Sequence, residues 1–394
     1  VGRIKLINRK RKNYTGTGIS FHNQKAGSRF GKFWRHAGWL LPAGLAAGAQ
    51  RILAVYPEWT ERNYTTGIFR IISWPLLKIS SLFPFSLTEL AVVIVLPLLI
   101  VFLLSRAIIR LIRIPEHRFF RILSGFSALA WILSIALTVF MLFHGFNYAR
   151  QPVAVSFELP VRERSTAELT ETAVWLAKEA AGIRSGLNED ENGVFKLGKT
   201  LSQTQLDANQ AFSSAAADWP ALAGYKTRPK GVMLSRYWSY TGITGVYNPW
   251  FVEANVNIDQ PNIAIPDTTA HELAHTRGFA REDEAGFIAF LTGQYAENPD
   301  YRYSVLASAW IRLSNRLYAI DREGYEQAAA PVSEAMRRDF SASAAYWKQF
   351  EGPVRVVSNQ ANNLYLQANM QEDGVRSYGR MIDLVLAWYE YTAP

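Results

Sequence analysis

Cysteine is missing from all 394 residues. Its absence removes disulfides, thiol nucleophiles and cysteine-bound zinc from consideration. It leaves the compartment undecided, since a disulfide-free chain is at home on either side of a membrane. Histidine is scarce, with six residues, so an imidazole metal site must draw on very few positions. Acids are nearly absent from the front of the chain. Residues 1–150 carry 4 Asp+Glu against 20 Lys+Arg, whereas residues 151–394 carry 29 against 22. The net charge of +9 therefore combines a strongly basic, apolar front with a mildly acidic back. Positive charge beside apolar runs sets membrane orientation; a nucleic-acid partner is not expected. No internal repeat or low-complexity tract stands out, and the length leaves room for more than one domain.

The apolar runs organise the front. Residues 1–37 are polar and basic, without an acid, and read as a cytoplasmic tail. Residues 39–56 form a short apolar run with Gln50 and Arg51 near its far end, expected to be a first span with Arg51 snorkelling to the interface. Residues 57–86 place Ile68, Ile71, Ile72 and Leu76 among Trp59, Tyr64 and Trp74, the pattern of a helix lying in the interface. Residues 87–109 form a second span, with no charge from Leu90 to Leu104 and enough length to cross a hydrocarbon core. An arginine-rich loop follows, then a third span over 122–146, again without charge. The basic tail and the arginine loop belong in the cytoplasm. An odd number of spans then puts residues 147–394 outside, on the outer face of a bacterial plasma membrane.

Those last residues, about 250 of them, suffice for a core of their own. Helical patterns are expected over 166–183, 201–219, 303–320, 331–351, 354–370 and 378–391, and short strands near 231–234 and 252–258. The strand at 252–258 alternates apolar Val252, Ala254, Val256 and Ile258 with Glu253, Asn255 and Asn257. It is expected to be half-buried, with Glu253 and Asn255 facing a substrate cleft.

The densest chemistry lies in residues 270–290, AHELAHTRGFAREDEAGFIAF. His271 and His275 are four apart, hence on one helical face, where two imidazole nitrogens can hold one zinc ion. Glu272 lies between them and reaches the place where water would bind, as a general base does. With so few histidines, chance produces HExxH in roughly one such sequence in a hundred or fewer. Asp267 is the expected N-cap, and Gly278 the expected helix stop. The metzincin spacing would need a third histidine at position 281, but Arg281 stands there, and a guanidinium does not ligate zinc. A carboxylate is needed instead, and Glu282, Asp283 and Glu284 follow the turn. Glu284 is expected as the third ligand, because Ala285 and Phe287 follow it as in glutamate-ligand zincins. Glu282 or Asp283 would then orient a histidine N–H.

The stretch HELAHTRGFAREDEAGF, together with SYTGITGVYNPW, EANVN and YLQANMQEDGVRSYGRMIDLVLAWY, resembles an uncharacterised bacterial domain-of-unknown-function family. Its members are three-span membrane proteins with a zincin-like HELAHxRGFAREDEAN motif. The resemblance implies a membrane-bound metallopeptidase fold and no particular substrate. Gly286 departs from it where Asn is the rule. Tyr378 and Arg380 lie in a stretch through which the resemblance runs, and are candidate donors to an oxyanion.

The expectation is thus a three-span α-helical membrane anchor carrying a mainly α, α+β zincin-like domain with a small sheet over the HExxH helix. His271, His275 and Glu284 would hold Zn2+, and Glu272, Tyr378 and Arg380 would serve catalysis on a peptide or protein substrate. A non-catalytic zincin-like receptor or assembly factor, and an amide hydrolase acting on cell-wall material, are the rival readings.

Overall fold

The computed structural model describes residues 38–113 and 118–392. The basic tail and residues 114–117 of the arginine loop lie outside the described residues. The chain is mainly helical, with one small sheet.

In the front part, α1 is Leu40–Val55, α2 is Arg70–Leu82, α3 is Leu96–Arg113 and α4 is Arg118–Phe143. A turn at Pro57–Trp59 and a π-helical stretch at Thr60–Phe69 lead into α2, while Leu87–Leu90 and a π-helical turn at Ala91–Val95 lead into α3. Two stretches are long and apolar enough to cross a membrane, Leu87–Ile109 and Ser124–Phe143. The first expected span falls short. At 16 residues and 1.5 Å per residue, α1 is about 24 Å long, less than a hydrocarbon core of about 30 Å. It leans on α4, where the Ser134 hydroxyl donates to the Trp39 carbonyl.

Residues 57–86 do more than lie alongside. One face of this segment packs on the rest of the chain. Thr65 donates to Asn147, Arg70 to the Ala221 carbonyl, and Leu77 packs with Tyr247 and Val252. The opposite face leaves Ile68, Ile71, Trp74 and Leu82 exposed.

The back part holds α5 (Thr166–Arg184), α6 (Leu201–Ala215), β1 (Lys230–Val232), α7 (Ser235–Thr241), β2 (Gly245–Asn248), β3 (Glu253–Asn257), α8 (Ile265–Thr276), α9 (Glu282–Gly293), α10 (Pro299–Ile320), α11 (Arg322–Ala329), α12 (Glu334–Lys348), α13 (Pro353–Ala368) and α14 (Ser377–Thr392). Local signals start several of these. Ser165 with Glu168, and Thr200 with Gln203, form reciprocal capping boxes that satisfy orphan N–H groups at the heads of α5 and α6. The core threads through α5, α6, α8, α9, α10 and α14, with Leu176, Phe212, Leu273, Phe287, Phe290, Leu306, Leu313 and Val385 buried.

The sheet runs β1-β3-β2, with β1 parallel to β3 and β2 antiparallel to it. This corrects the expected half-exposed strand. β3 is the central strand and every residue of it is buried. Ala254 joins the core under α8. Glu253 and Asn255 face the start of the long apolar helix and not a cleft. The Glu253 carboxylate accepts from the Leu87 and Thr88 N–H groups at 3.2 and 2.9 Å, and from the Thr88 hydroxyl at 2.8 Å. Asn255 accepts from the Ser86 hydroxyl at 2.6 Å and donates to the Thr88 hydroxyl at 3.0 Å. An anion at a helix N-terminus satisfies donors that have no partner inside the helix. Glu253 and Asn255 therefore clamp an apolar helix to the sheet, while Asn257 donates to the Ser239 hydroxyl and the Ile243 carbonyl.

Candidate metal centre

The site is built where α8 ends. Pro266 stands at the head of that helix, whose N-cap is Ala264. Asp267 lies in the first turn and accepts from the Ser308 hydroxyl at 2.7 Å, so it does not cap as expected. The other end is as its glycine suggests. Gly278 has φ +84°, its N–H reaches the His275 carbonyl at 3.0 Å, and the Phe279 N–H reaches back to Ala274 at 3.2 Å. That pairing is a Schellman turn, which needs a left-handed residue. A Cβ on Gly278 would also meet Thr65 Cγ2 at 2.7 Å.

The turn has a chemical result. It folds the Phe279 carbonyl under His275, whose Nδ1 donates to it at 2.7 Å. The bond assigns the Nδ1 proton, and so leaves the Nε2 lone pair for a ligand. His275 Nε2 lies 3.2 Å from His271 Nε2. Both face Glu282 Oε2, at 2.9 Å from His271 and 3.6 Å from His275. Tetrahedral zinc with bonds of about 2.0–2.2 Å sets its ligand atoms roughly 3.3–3.5 Å apart. The triangle of 3.2, 2.9 and 3.6 Å therefore fits one such ion, and these three residues form a group that could hold a metal.

The carboxylate is a correction. Glu284, expected in the triangle, is turned away. Its Oε1 accepts from the Val153 N–H at 2.9 Å and from Arg281 at 2.8 Å. The reason is rotational. Glu282 is the first residue of α9, and two residues further is about 200° around the helix. Once Glu282 looks back at α8, Glu284 must look elsewhere. Asp283 does not orient a histidine either; it faces Arg380 at 3.7 Å, and burial pushes its carboxyl up to about 6.

Glu272 is buried beside the pair and receives a hydrogen bond from the Tyr247 backbone, while its Oε2 has no hydrogen-bond partner among the described residues. β2 makes room for it: a Cβ on Gly245 would sit 2.5 Å from Glu272 Oε1. Burial pushes the Glu272 carboxyl up to about 7, against the pull of His275 and His271. Burial also opposes charge on Glu282, but the two histidines outweigh it and hold that carboxyl well below the usual range. Burial favours the neutral form of His275, but Glu282 outweighs it and lifts that imidazole to about 9, so a cation binding at Nε2 displaces a proton from it.

Aromatic rings enclose the triangle. The His144 ring, one residue past α4, lies 5.6 Å from His275, and Tyr247 lies 6.0 Å from it. Tyr378 stacks on His271 at 6.4 Å and an interplanar angle of 24°. Its hydroxyl is paired with Glu282 and receives Asn362 Nδ2 at 3.5 Å. Burial, then Glu282, keeps that hydroxyl protonated well beyond the ordinary tyrosine range. Arg380 is not part of the site; it is half exposed and bound to Asp373 at 2.7 Å. His144 and Asn362 were not legible as site residues. The one available signal was a histidine directly after an uncharged apolar run.

No curated protein and no solved structure matches the chain. Residues 64–386 match a family described as "Protein of unknown function (DUF3810)". That match takes in both long apolar stretches, the sheet and the whole His/His/Glu group, and the chain belongs to this family.

Proposed function

We propose that the chain is a membrane-anchored, zinc-dependent peptidase with a zincin-like domain on the outer face of a bacterial plasma membrane. The observation that carries the reading is the triangle of His271, His275 and Glu282, with the buried, unpartnered Glu272 oxygen beside it. Zinc, when bound, polarises a scissile carbonyl and eases deprotonation of water. The chain's own residues supply the rest. The Phe279 carbonyl holds the His275 tautomer that presents Nε2. Glu272, buried beside the histidine pair with one carboxylate oxygen free of partners among the described residues, is placed to take a proton from that water and return it to the leaving amine. Tyr378, kept protonated by burial, is the candidate donor to the developing oxyanion. The aromatic rings around His275 keep the local dielectric low, which strengthens each of these interactions.

Anchoring rests on the two apolar helices, and the outer face on the arginine-rich stretch 106–121 between them, which belongs in the cytoplasm and puts both outer ends of the pair on the other side. The test uses the full chain purified in detergent. Metal analysis is expected to find about one zinc per chain, lost in Glu282→Ala and kept in Glu284→Ala. Glu272→Gln is expected to keep the metal and lose cleavage of a peptide library. Metal bound as tightly by Glu282→Ala as by the native chain would remove Glu282 from the site. Full cleavage by Glu272→Gln would end the hydrolytic reading, and metal without any turnover in the native chain would favour a receptor or scaffold.

A further inference from the structure

α13 is built inside out. Val354, Val357, Ala361, Leu364 and Ala368 recur at alternating steps of three and four, which draws one stripe along a helix. All five are exposed, Val357 at 64% and Leu364 at 67%. The helix carries a single charge, Arg355, whose guanidinium lies over the Trp347 ring. Its inner side is polar: Ser358, Asn362 and Asn363 are half-buried, and only Leu366 is fully buried. A helix on a water-facing surface shows the reverse arrangement, and a continuous exposed apolar strip marks an interaction surface.

What covers the stripe follows from what adjoins it. Tyr365 of α13 packs edge-on against Phe140 of α4 at 6.1 Å. Trp250, in the turn between β2 and β3, donates its indole N–H to the Ala136 carbonyl at 3.3 Å. Ala136 lies seven residues before the end of α4, about 10 Å along the helix. The back part of the chain thus overlaps the apolar stretch Ser124–Phe143 by roughly two turns. The other long apolar helix starts at Leu87, held to β3 by Glu253. Exposed aromatic rings collect nearby: Trp250, and Tyr237 and Tyr240 on α7, which packs on α13. Such rings gather at a membrane–water boundary.

We infer that α13 is an interfacial helix whose apolar stripe is seated in the lipid bilayer, at the leaflet where α4 ends. The inference rests on the membrane-anchored reading and is independent of the metal. It also explains the inverted pattern. The outer face meets acyl chains, while the inner face meets the candidate metal centre through Asn362, which donates to Tyr378. The remaining exposed polar positions, Asn359, Gln360 and Gln367, are uncharged, as suits a helix lying at the lipid boundary.

The chain lacks cysteine, so a single introduced thiol is a unique label. Val357→Cys, Leu364→Cys, Leu98→Cys on α3 and Glu326→Cys on α11 would each carry a bimane fluorophore. The full chain would be reconstituted in vesicles of about three parts phosphatidylcholine to one part phosphatidylglycerol, with brominated acyl chains as quencher. Positions 357 and 364 are expected to lose most of their emission, as position 98 does, while position 326 keeps it. Quenching at 98 with 357 and 364 behaving like 326 overturns the inference and leaves the spans standing. Equal quenching at 326 also overturns it, since the face would not be selective. No quenching at 98 sinks the membrane reading itself. Unquenched 357 or 364 thiols that pair into disulfide-linked dimers would assign the stripe to a second copy of the chain.

Discussion

α10 and α13 carry the same apolar rhythm and meet opposite surroundings. In α10, Leu306, Trp310, Leu313 and Leu317 step by three and four and are buried, three of them completely. In α13, Val354, Val357, Ala361 and Leu364 step the same way and are exposed. Periodicity reports that a face is apolar; it does not report what that face touches. The opposite face discriminates better. α10 turns Arg302, Arg312 and Arg316 outward, paired with Glu179, Asp267 and Asp383, as a helix between core and water does. α13 turns uncharged Ser358, Asn362 and Asn363 inward. A helix whose polar side lacks charge has protein on that side, and its apolar side must find another host.

The largest expected effect tests this contrast directly. Leu313→Ala empties a site in the core and is expected to cost about 2–5 kcal/mol. Leu364→Ala removes the same atoms from an exposed site and is expected to stay within about 0.5 kcal/mol. Urea melts of the full chain in one detergent measure both. Equal losses would mean that α13 is packed like α10, and the contrast would dissolve.

A second, smaller effect separates lipid from water as the host of α13. Leu364→Asp puts a carboxylate on the stripe. In water it is close to neutral, whereas at the depth of a bilayer interface it is expected to cost about 1 kcal/mol. The readout is quenching of a Val357→Cys label in vesicles, expected to weaken in Leu364→Asp while the melt in detergent is unchanged. Undiminished quenching would place position 364 outside the acyl region.

The same distinction between local and distant geometry decides how much was legible beforehand. The pairing of His271 with His275 is set by one turn of helix, and the stop at Gly278 by the backbone of one residue, so both could be read from spacing. The choice of Glu282 over Glu284 could not. It depends on how α9 leaves the turn, and two residues swing a side chain to the other side. β3 shows the same gap. Alternation of Glu253, Asn255 and Asn257 with apolar neighbours suits a strand with one solvated face, yet what covers that face is set by segments far away in the sequence. There the polar side chains are used up by residues 86–88, which Glu253 and Asn255 bind, and by Ser239 and Ile243, which Asn257 binds. The apolar run at 87–109 was plain because length and hydropathy decide it, whereas α1 is apolar but too short.

The smallest expected effect lies on the inner face of α13. Asn362 Nδ2 stands 3.5 Å from the Tyr378 hydroxyl, at the limit of a hydrogen bond, and removing it should cost less than about 0.5 kcal/mol of stability. Asn362→Ala is therefore expected to melt like the native chain. Its consequence would be kinetic. Tyr378 must point its proton at the reacting oxygen to serve as donor, and Asn362 is what holds the hydroxyl from the α13 side. On the proposed peptidase reading, kcat is expected to fall several-fold with KM little changed, because the interaction matters in the transition state and not in binding. Tyr378→Phe should lower kcat further, and adding Asn362→Ala to it should change nothing more, since the group being positioned is gone. If instead the two losses simply multiply, Asn362 acts elsewhere, and the inner face of α13 packs against the site without taking part in it.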